Sequence, residues 1–267
     1  MNSAYIEVVR LLLEAIPVVF QEPQFAMKGG TALNLFIQDL PRLSVDIDVV
    51  FIDHTASRTE ALRQIGASLE AARNELNRRG LQAESSLGAH VDESKLFLRR
   101  GSHLVKVEVN HVFRGTMLPV QVRSLTPESH RLFTTEVHVP VLATAELYGS
   151  KLVAALHRQH PRDLFDVHCM FETGGINDEM VECFVGYLAG HHRPLHDPFA
   201  QAIWSPIELG LRAPTQRSTP TPDIELPPSG SPSGKPWPNR RLSARKLFRN
   251  LGAGNDFCQK NRVLRWL

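Results

Sequence analysis

Residues 42–51, RLSVDIDVVF, constrain the possible folds more than any other part of this chain. Polar and apolar side chains alternate through them, and a period of two predicts a β-strand with one buried face. Asp46 and Asp48 then project from the same side as Arg42 and Ser44. Two carboxylates held so close repel each other and indicate a bound cation. The alternative is the solvated face of an edge strand, where charges discourage aggregation.

A glycine pair upstream gives these carboxylates a functional context. Gly29 and Gly30 follow a short apolar strand predicted at residues 25–28 and precede a helix expected to begin at Thr31. Bare backbone amides at a helix N-terminus can bind a phosphate, although a simple tight turn would use the same residues. Mg²⁺ prefers oxygen ligands and often shares them with substrate phosphates. The combination favours metal-assisted phosphoryl transfer.

A second predicted strand, residues 104–112, offers a third acid. Lys106, Glu108 and Asn110 share one of its faces, and Glu108 is a candidate third metal ligand. A further strand is predicted at residues 95–99. Four basic residues of this region are candidates for an RNA-facing strip, namely Arg99, Arg100, Lys106 and Arg114. The alternative is that they only solvate the surface, as scattered basic residues usually do.

Four charged residues stand out in the helical part of the chain. Lys151 lies in an otherwise apolar helix, where its ammonium is costly unless it reaches an anion such as a triphosphate. Asp163 falls in the first turn of the next helix, where the helix dipole favours an acid. Arg162 and Asp166 are spaced for an ion pair along that helix. These local interactions are the alternative to substrate contact for Asp163 and Asp166.

Turn and capping signals give a coarse organisation of the chain. Helices are predicted over residues 3–20 and 57–79, from Thr144 to about His157, and from Pro161 to the glycines at 174 and 175. Residues 213–239 contain eight prolines and form a predicted linker. Residues 240–267 form a basic tail, with eight Lys or Arg against the single acid Asp256. The remaining residues carry a net charge of −5, since the chain total is +2.

The composition favours an ordinary cytoplasmic protein. Hydrophobic residues make up 42% of the chain, which is enough for one or two cores. The three cysteines are scattered and odd in number, which suits a reducing compartment. The apolar N-terminal stretch is interrupted by charges at helical spacing, so it resembles an amphipathic helix rather than a signal. No run approaches the roughly 20 apolar residues of a membrane span.

Four blocks in order, KGGTAL, RLSVDIDVVF, ELYGSKLVAAL and PRDLFDVHCMFE, resemble the AbiEii-type nucleotidyltransferase toxins of the DNA polymerase β-like superfamily. The resemblance covers about residues 20–200. It implies an α+β fold, with a mixed β-sheet flanked by helices in a nucleotidyltransferase lobe, residues 1–140. A helical lobe, residues 141–212, would follow. The linker and tail depart from the family pattern, which indicates either gene decay or an RNA-holding tail.

The resemblance also implies roles for individual residues. The residues matched to catalysis are Ser44, Asp46, Asp48, Lys151 and Asp166, with Asp46 and Asp48 as metal ligands. Those matched to nucleotide binding are Lys28, Gly29, Gly30, Thr31, Arg42, Ser44 and Lys151, with Arg162 and Asp163 as secondary candidates. Glu108 is the third candidate metal ligand because of its place on the neighbouring predicted strand, not because of the resemblance.

The resemblance implies a toxin restrained by an antitoxin, with the AbiEi type as the candidate. It would transfer nucleotides from an NTP to RNA, with tRNA as the expected acceptor, using Mg²⁺ or Mn²⁺. Two alternatives remain open at this stage. One is transfer to a small molecule or a protein, and the other is an inactive remnant that binds a nucleotide or an antitoxin.

Overall fold

The β-sheet and the candidate site residues belong to one of two units of the chain. Residues 1–155 and 160–191 form this unit, and residues 156–159 with 192–267 are assigned to a second. The predicted linker and basic tail lie outside the described residues, and the domain boundary at residue 140 stays a prediction. The residues described by this computed structural model are 3–87, 93–110 and 114–190.

Seven helices and seven strands are found among the described residues. The helices are α1 (Ser3–Val19), α2 (Gly29–Phe36), α3 (Arg58–Arg78), α4 (Pro127–Phe133), α5 (Thr144–Arg158), α6 (Pro161–Thr173) and α7 (Asp178–Ala189). The strands are β1 (Phe25–Lys28), β2 (Asp46–Phe51), β3 (Gln82–Leu87), β4 (Glu93–Arg100), β5 (His103–Asn110), β6 (Gln121–Ser124) and β7 (His138–Val141).

The strands form a single mixed sheet in the order β3-β4-β5-β2-β1-β7-β6. β2 runs parallel to β5 and antiparallel to β1, and β1 runs parallel to β7. The remaining neighbours are antiparallel. The expected α+β fold with a mixed sheet is confirmed. The strand that carries the acid pair lies inside this sheet, between β5 and β1.

Alternating side chains on β2 and β5 build the core on one side of the sheet. Ile47 and Val49 on β2 are fully buried, as are Val105 and Val107 on β5. Helix α1 packs against β5 and β2, whereas α3 packs against β3 and β4. The polar residues between these valines therefore face the other side of the sheet.

The α3 helix has the capping residue and the apolar spacing from which a helix can be predicted. Its N-terminal cap is Ser57, whose hydroxyl accepts a hydrogen bond of 3.2 Å from the backbone N–H of Glu60. Ile65, Leu69 and Leu76 then recur at helical spacing and are buried. None of the helices in the described ranges has the length and apolar character that a bilayer crossing requires.

Candidate active site

The acid pair lies on the central strand β2. Asp46 and Asp48 point to the face opposite Ile47 and Val49, as the alternation predicts. The side chain of Asp46 keeps 42% of its surface exposed, and Asp48 is partly buried. Because β2 is paired on both sides, the edge-strand alternative for these residues is wrong. Charges on an internal strand need another explanation than protection of a sheet edge.

Neighbouring strands place further charges beside the pair. Asp48 is in register with Lys28 on β1 and with Glu108 on β5. Asp46 is in register with Lys106 on β5. Register partners project from the same face of a sheet, so two lysines and three acids share one surface. The placement of Glu108 on a strand adjacent to the acid pair is confirmed.

The lysines of this surface contact the acids directly. Lys106 Nζ lies 3.8 Å from Asp46 Oδ1 and 3.2 Å from Glu108 Oε2. Lys95 on β4 places its Nζ 3.3 Å from Glu108 Oε1. Glu108 is therefore held between two ammonium groups, whereas Asp46 meets one. The three lysine and glutamate side chains are each about one-third exposed, so water screens their interactions.

Asp48 occupies an environment that opposes its charge. Burial raises the pKa of its carboxyl above the ordinary value, and the negative charges of Asp46 and Glu108 raise it further. The positive charges of Lys28 and Lys151 lower the pKa, but the net direction is upward. A carboxylate in this position gains from any additional cation.

The glycine turn lies directly against these polar groups. Gly29 has a left-handed φ of 78°, and a Cβ atom there would overlap the Asp48 carboxylate. A Cβ atom on Gly30 would lie 2.9 Å from Arg42 Nη2 and 3.1 Å from Ser44 Oγ. Only glycine lets the backbone approach all three side chains so closely. The turn is therefore lined by a carboxylate, a guanidinium and a hydroxyl.

Helix α2 fixes the geometry of this turn. It begins at Gly29 rather than at Thr31, so both glycines belong to its first turn. The Thr31 hydroxyl donates a hydrogen bond to the backbone carbonyl of Asp46 and so ties the helix to the start of β2. Asn34 donates to the Gly30 carbonyl at 2.8 Å and to Asp166 Oδ1 at 3.3 Å.

Arg42 lies before the strand rather than on it, and the prediction of a strand from residue 42 is wrong. Leu40 adopts a left-handed φ of 55°, and the Arg42 guanidinium then reaches α6. Its Nε and Nη2 donate to the two carboxylate oxygens of Asp166 at 2.7 and 2.6 Å. This bidentate pair ties the Arg42 side chain to α6, and β2 begins only at Asp46. Ser44 follows Arg42 in the same segment and is buried.

Lys151 on α5 completes a buried charge cluster. Its Nζ lies 3.0 Å from Asp163 Oδ1 and 3.0 Å from Asp166 Oδ2, and its side chain is only 7% exposed. The expectation that this ammonium needs an anion is met by two protein carboxylates. Contact with a triphosphate stays a prediction.

Asp166 is the centre of that cluster. Burial alone would raise its pKa, but hydrogen bonds and charge from Arg42 and Lys151 outweigh burial, and the pKa is lowered. The predicted pair between Asp166 and Arg162 is wrong, because Asp166 is fully buried against Arg42 and Lys151 whereas Arg162 is exposed on α6. Spacing along one helix did not reveal partners from other elements.

A tyrosine that the sequence did not single out lies next to Lys28, and it is hydrogen-bonded to a buried glutamate. Lys28 Nζ lies 5.4 Å from the centre of the Tyr187 ring on α7. The Tyr187 hydroxyl donates to Glu146 Oε1 at 3.0 Å. Glu146 is fully buried and also accepts from the backbone N–H groups of Met117 and Leu118, at 3.0 and 3.1 Å. The only sequence signal was the acid in the first turn of α5.

Most of the predicted site residues meet through direct contacts and strand register in one region of the first unit. Those residues are Lys28, Gly29, Gly30, Thr31, Arg42, Ser44, Asp46, Asp48, Glu108, Lys151, Asp163 and Asp166. Arg162 is not among them. Within the described ranges, no three His, Cys, Asp or Glu side chains are arranged as a preformed metal site.

The fold is shared with a solved bacterial toxin. The chain is similar to MenT4, a nucleotidyltransferase toxin from Mycobacterium tuberculosis, with a TM-score of 0.54 and 18% sequence identity. The similarity covers 72% of this chain and 69% of that one. At this identity the similarity shows the fold alone. No curated protein matches the sequence.

The sequence itself identifies the family. Residues 10–233 match the family described as nucleotidyl transferase AbiEii toxin, type IV toxin–antitoxin system. The chain therefore belongs to the AbiEii family and is a nucleotidyltransferase toxin of a type IV toxin–antitoxin system. Nucleotidyltransferases of this family generally use an NTP and a divalent metal, and membership implies an antitoxin partner.

Proposed function

We propose that this enzyme transfers a nucleotidyl group from an NTP to an RNA acceptor, with tRNA as the expected class and Mg²⁺ or Mn²⁺ as the metal. The observation that carries the proposal is the arrangement of Asp46 and Asp48 on an internal strand, beside the bare turn at Gly29 and Gly30. Paired carboxylates next to accessible backbone amides suit a metal and a polyphosphate together.

The acid pair fits a divalent metal in charge and in ligand chemistry. Burial is the main reason that the pKa of Asp48 is raised, and the charges of Asp46 and Glu108 add to it, so a bound cation would stabilise the ionised carboxylate. Asp46 and Asp48 would hold the metal. Glu108 is engaged by Lys95 and Lys106, so we assign it a supporting role. A bound metal would stabilise the charge that develops on the triphosphate.

The glycine turn and the surrounding cations would bind the triphosphate. Gly29 and Gly30 present backbone N–H groups at the start of α2, where the helix dipole favours a negative group. Arg42 lies against Gly30 and is held in place by Asp166. Lys28 provides a second positive charge, from β1. Ser44, whose hydroxyl also lies near Gly30, would donate a hydrogen bond to a phosphate oxygen.

Lys151 would act mainly through electrostatics and position. Its ammonium is bound to Asp163 and Asp166, yet its charge reaches Asp48. It therefore connects the cluster on α6 with the acid pair on β2. In the transfer itself, the oxygen of an acceptor hydroxyl attacks the α-phosphorus of the NTP. The bond between this phosphorus and the bridging oxygen of the pyrophosphate then breaks, and pyrophosphate leaves. The orientation of both groups is the contribution that these side chains make.

The expected partners follow from the same proposal. They are an NTP, an RNA acceptor and a cognate antitoxin, for which we propose the AbiEi type. A co-expression experiment tests the proposed antitoxin partner. Co-expression with the antitoxin encoded beside this toxin should restore growth that the toxin alone inhibits.

Labelled NTPs and fractionated cell extracts test the transfer. After incubation with total RNA, protein and metabolites, the label should appear in RNA. Asp46→Ala should abolish labelling, whereas Glu172→Gln, a change at an exposed acid of α6, should leave it intact. Label in protein or metabolites would instead favour transfer to those acceptors. Full transfer by Asp46→Ala would overturn the role of the acid pair, and no transfer by the unaltered chain would indicate a remnant.

A further inference from the structure

The strands β4 and β5 carry an aromatic side chain on the face that bears the acid pair. Leu96 and Leu98 on β4 are fully buried against the side that α1 and α3 cover. Phe97 lies between them and points to the opposite face, where it is half-buried. A large aromatic ring among the charged residues of this face calls for an explanation.

Phe97 is surrounded by basic residues. It is in register with Lys106 on β5, and Lys95 and Arg99 lie two residues away on the same face of β4. Leu104, opposite Arg99, is 39% exposed and extends the apolar part of this surface. We call the five residues Lys95, Phe97, Arg99, Leu104 and Lys106 the β4–β5 platform.

The platform also contains neighbouring acids, which limit its positive charge. Glu84 on β3 is in register with Phe97, and Glu108 is in register with Lys95. Asp46, which lies 3.8 Å from Lys106, is a third acid beside the platform, so its three cations are balanced by three acids.

The four basic residues that the sequence suggested as an RNA-facing strip do not all lie on one surface. Arg99 and Lys106 lie on the platform. Arg100 points to the other side of β4, where it forms an ion pair with Glu14 on α1. Arg114 donates a hydrogen bond of 3.0 Å to a backbone carbonyl in the loop after β2. Only half of the suggested strip is thus available on one surface.

The platform is continuous with the acid pair. Phe97, Lys106 and Asp46 occupy successive positions across β4, β5 and β2. At the usual strand spacing, the backbone of Phe97 lies about 10 Å from that of Asp46. One or two nucleotides span such a distance. If a base of the RNA lay over Phe97, the 3′ end of that RNA would therefore lie at the two carboxylates.

We propose that the β4–β5 platform binds the single-stranded 3′ end of the RNA acceptor, with one base stacked on Phe97. Aromatic side chains on a sheet commonly stack with unpaired bases, and neighbouring cations contact the phosphates. Lys106 and Arg99 supply those cations on either side of the ring. The inference rests on the proposed function, because it names the acceptor surface of the same active site.

Substitutions at Phe97 test the stacking contact. Phe97→Leu keeps an apolar side chain but removes the ring, whereas Phe97→Tyr keeps the ring. Loss of one base–aromatic stack should raise KM for tRNA about fivefold or more. Phe97→Tyr should stay near the unaltered chain, and KM for the NTP should be unchanged in both. Val122→Ala, at an exposed position of the edge strand β6, is the matched control.

Direct binding of a fluorescent single-stranded oligoribonucleotide separates this inference from the proposed function, because it requires no transfer. Weaker binding by Phe97→Leu than by Phe97→Tyr and Val122→Ala would support the platform. Equal binding by all three variants, or no RNA binding by the unaltered chain, would overturn it. If RNA is labelled normally by Phe97→Leu with an unchanged KM, the platform is wrong while the proposed function stands.

Discussion

Removing the ammonium of Lys151 should destabilise the protein strongly. In Lys151→Met, Asp163 and Asp166 lose a partner at 3.0 Å while remaining at most 7% exposed. Breaking a buried ion pair in this way costs about 3–5 kcal/mol. We expect about 3 kcal/mol, the low end, because Asp166 keeps its bonds to Arg42. This would be a large part of the stability of an ordinary domain, about 5–15 kcal/mol.

Lys106 provides a control with the same local arrangement but greater exposure. It too contacts two carboxylates, those of Asp46 and Glu108, yet its side chain is 32% exposed. Lys106→Met should therefore cost less than about 1 kcal/mol. The pairing can be tested further by adding Asp163→Asn to Lys151→Met. This second change removes one of the carboxylates left behind and should recover part of the loss.

Urea unfolding followed by circular dichroism measures these changes. For a slope of about 2 kcal/mol per M, a loss of about 3 kcal/mol lowers the midpoint by about 1.5 M. A midpoint for Lys151→Met within about 0.5 M of the unaltered chain would refute the reasoning. The same conclusion would follow if Lys106→Met were equally unstable, because burial would then not decide the cost.

Three further predictions concern the glycine turn, the ring beside Lys28 and the response to acid. Gly29→Ala should abolish transfer, because the φ of Gly29 is left-handed at 78° and the added Cβ would overlap a carboxylate of the acid pair. The control Gly66→Ala, at an open position of α3, should keep activity and raise the free energy of unfolding by about 0.5–1 kcal/mol. Equal transfer activities of the two variants would contradict this prediction. Tyr187→Leu should raise KM for the NTP at least about twofold by removing the cation–π contact with Lys28, whereas Tyr187→Phe should not. The same KM for Tyr187→Leu and for the unaltered chain would exclude a role for the ring. The pKa of Asp166 is lowered in the folded state, so its ionised carboxylate contributes to stability. This contribution is fully present above the unfolded pKa of about 3.9 and is lost as the pH falls through the folded value. Urea unfolding at about pH 6 and at about pH 3 should show the loss, and Asp166→Asn should reduce it.

Long elements with a clear period or cap could be predicted from the sequence. Helices predicted to begin at Thr144 and Pro161 do begin there, and the helix predicted at residues 57–79 spans Arg58–Arg78. The strand β3 was missed because QAESSL has few apolar residues and depends on pairing with β4. The short β7 was missed because it contains a proline and only four residues. Neither has enough local signal without its neighbours.

The site was predictable where neighbouring residues in sequence act together. The acid pair and the glycine turn are such cases, since strand alternation and a Gly-Gly pair are local patterns. The partner of Asp166 was not, because Arg42 approaches it from another element. Tyr187 was missed because its link to Lys28 exists only once α7 packs beside β1.

The bond between Arg42 and Asp166 joins positions 124 residues apart. During synthesis, the ribosome releases the turn and the acid pair long before α6 can hold the guanidinium in place. Closing so long a loop also costs chain entropy, which slows folding. We therefore expect unfinished polypeptides to be harmless to the cell that makes them, and toxicity to begin only when the chain has grown beyond Asp166.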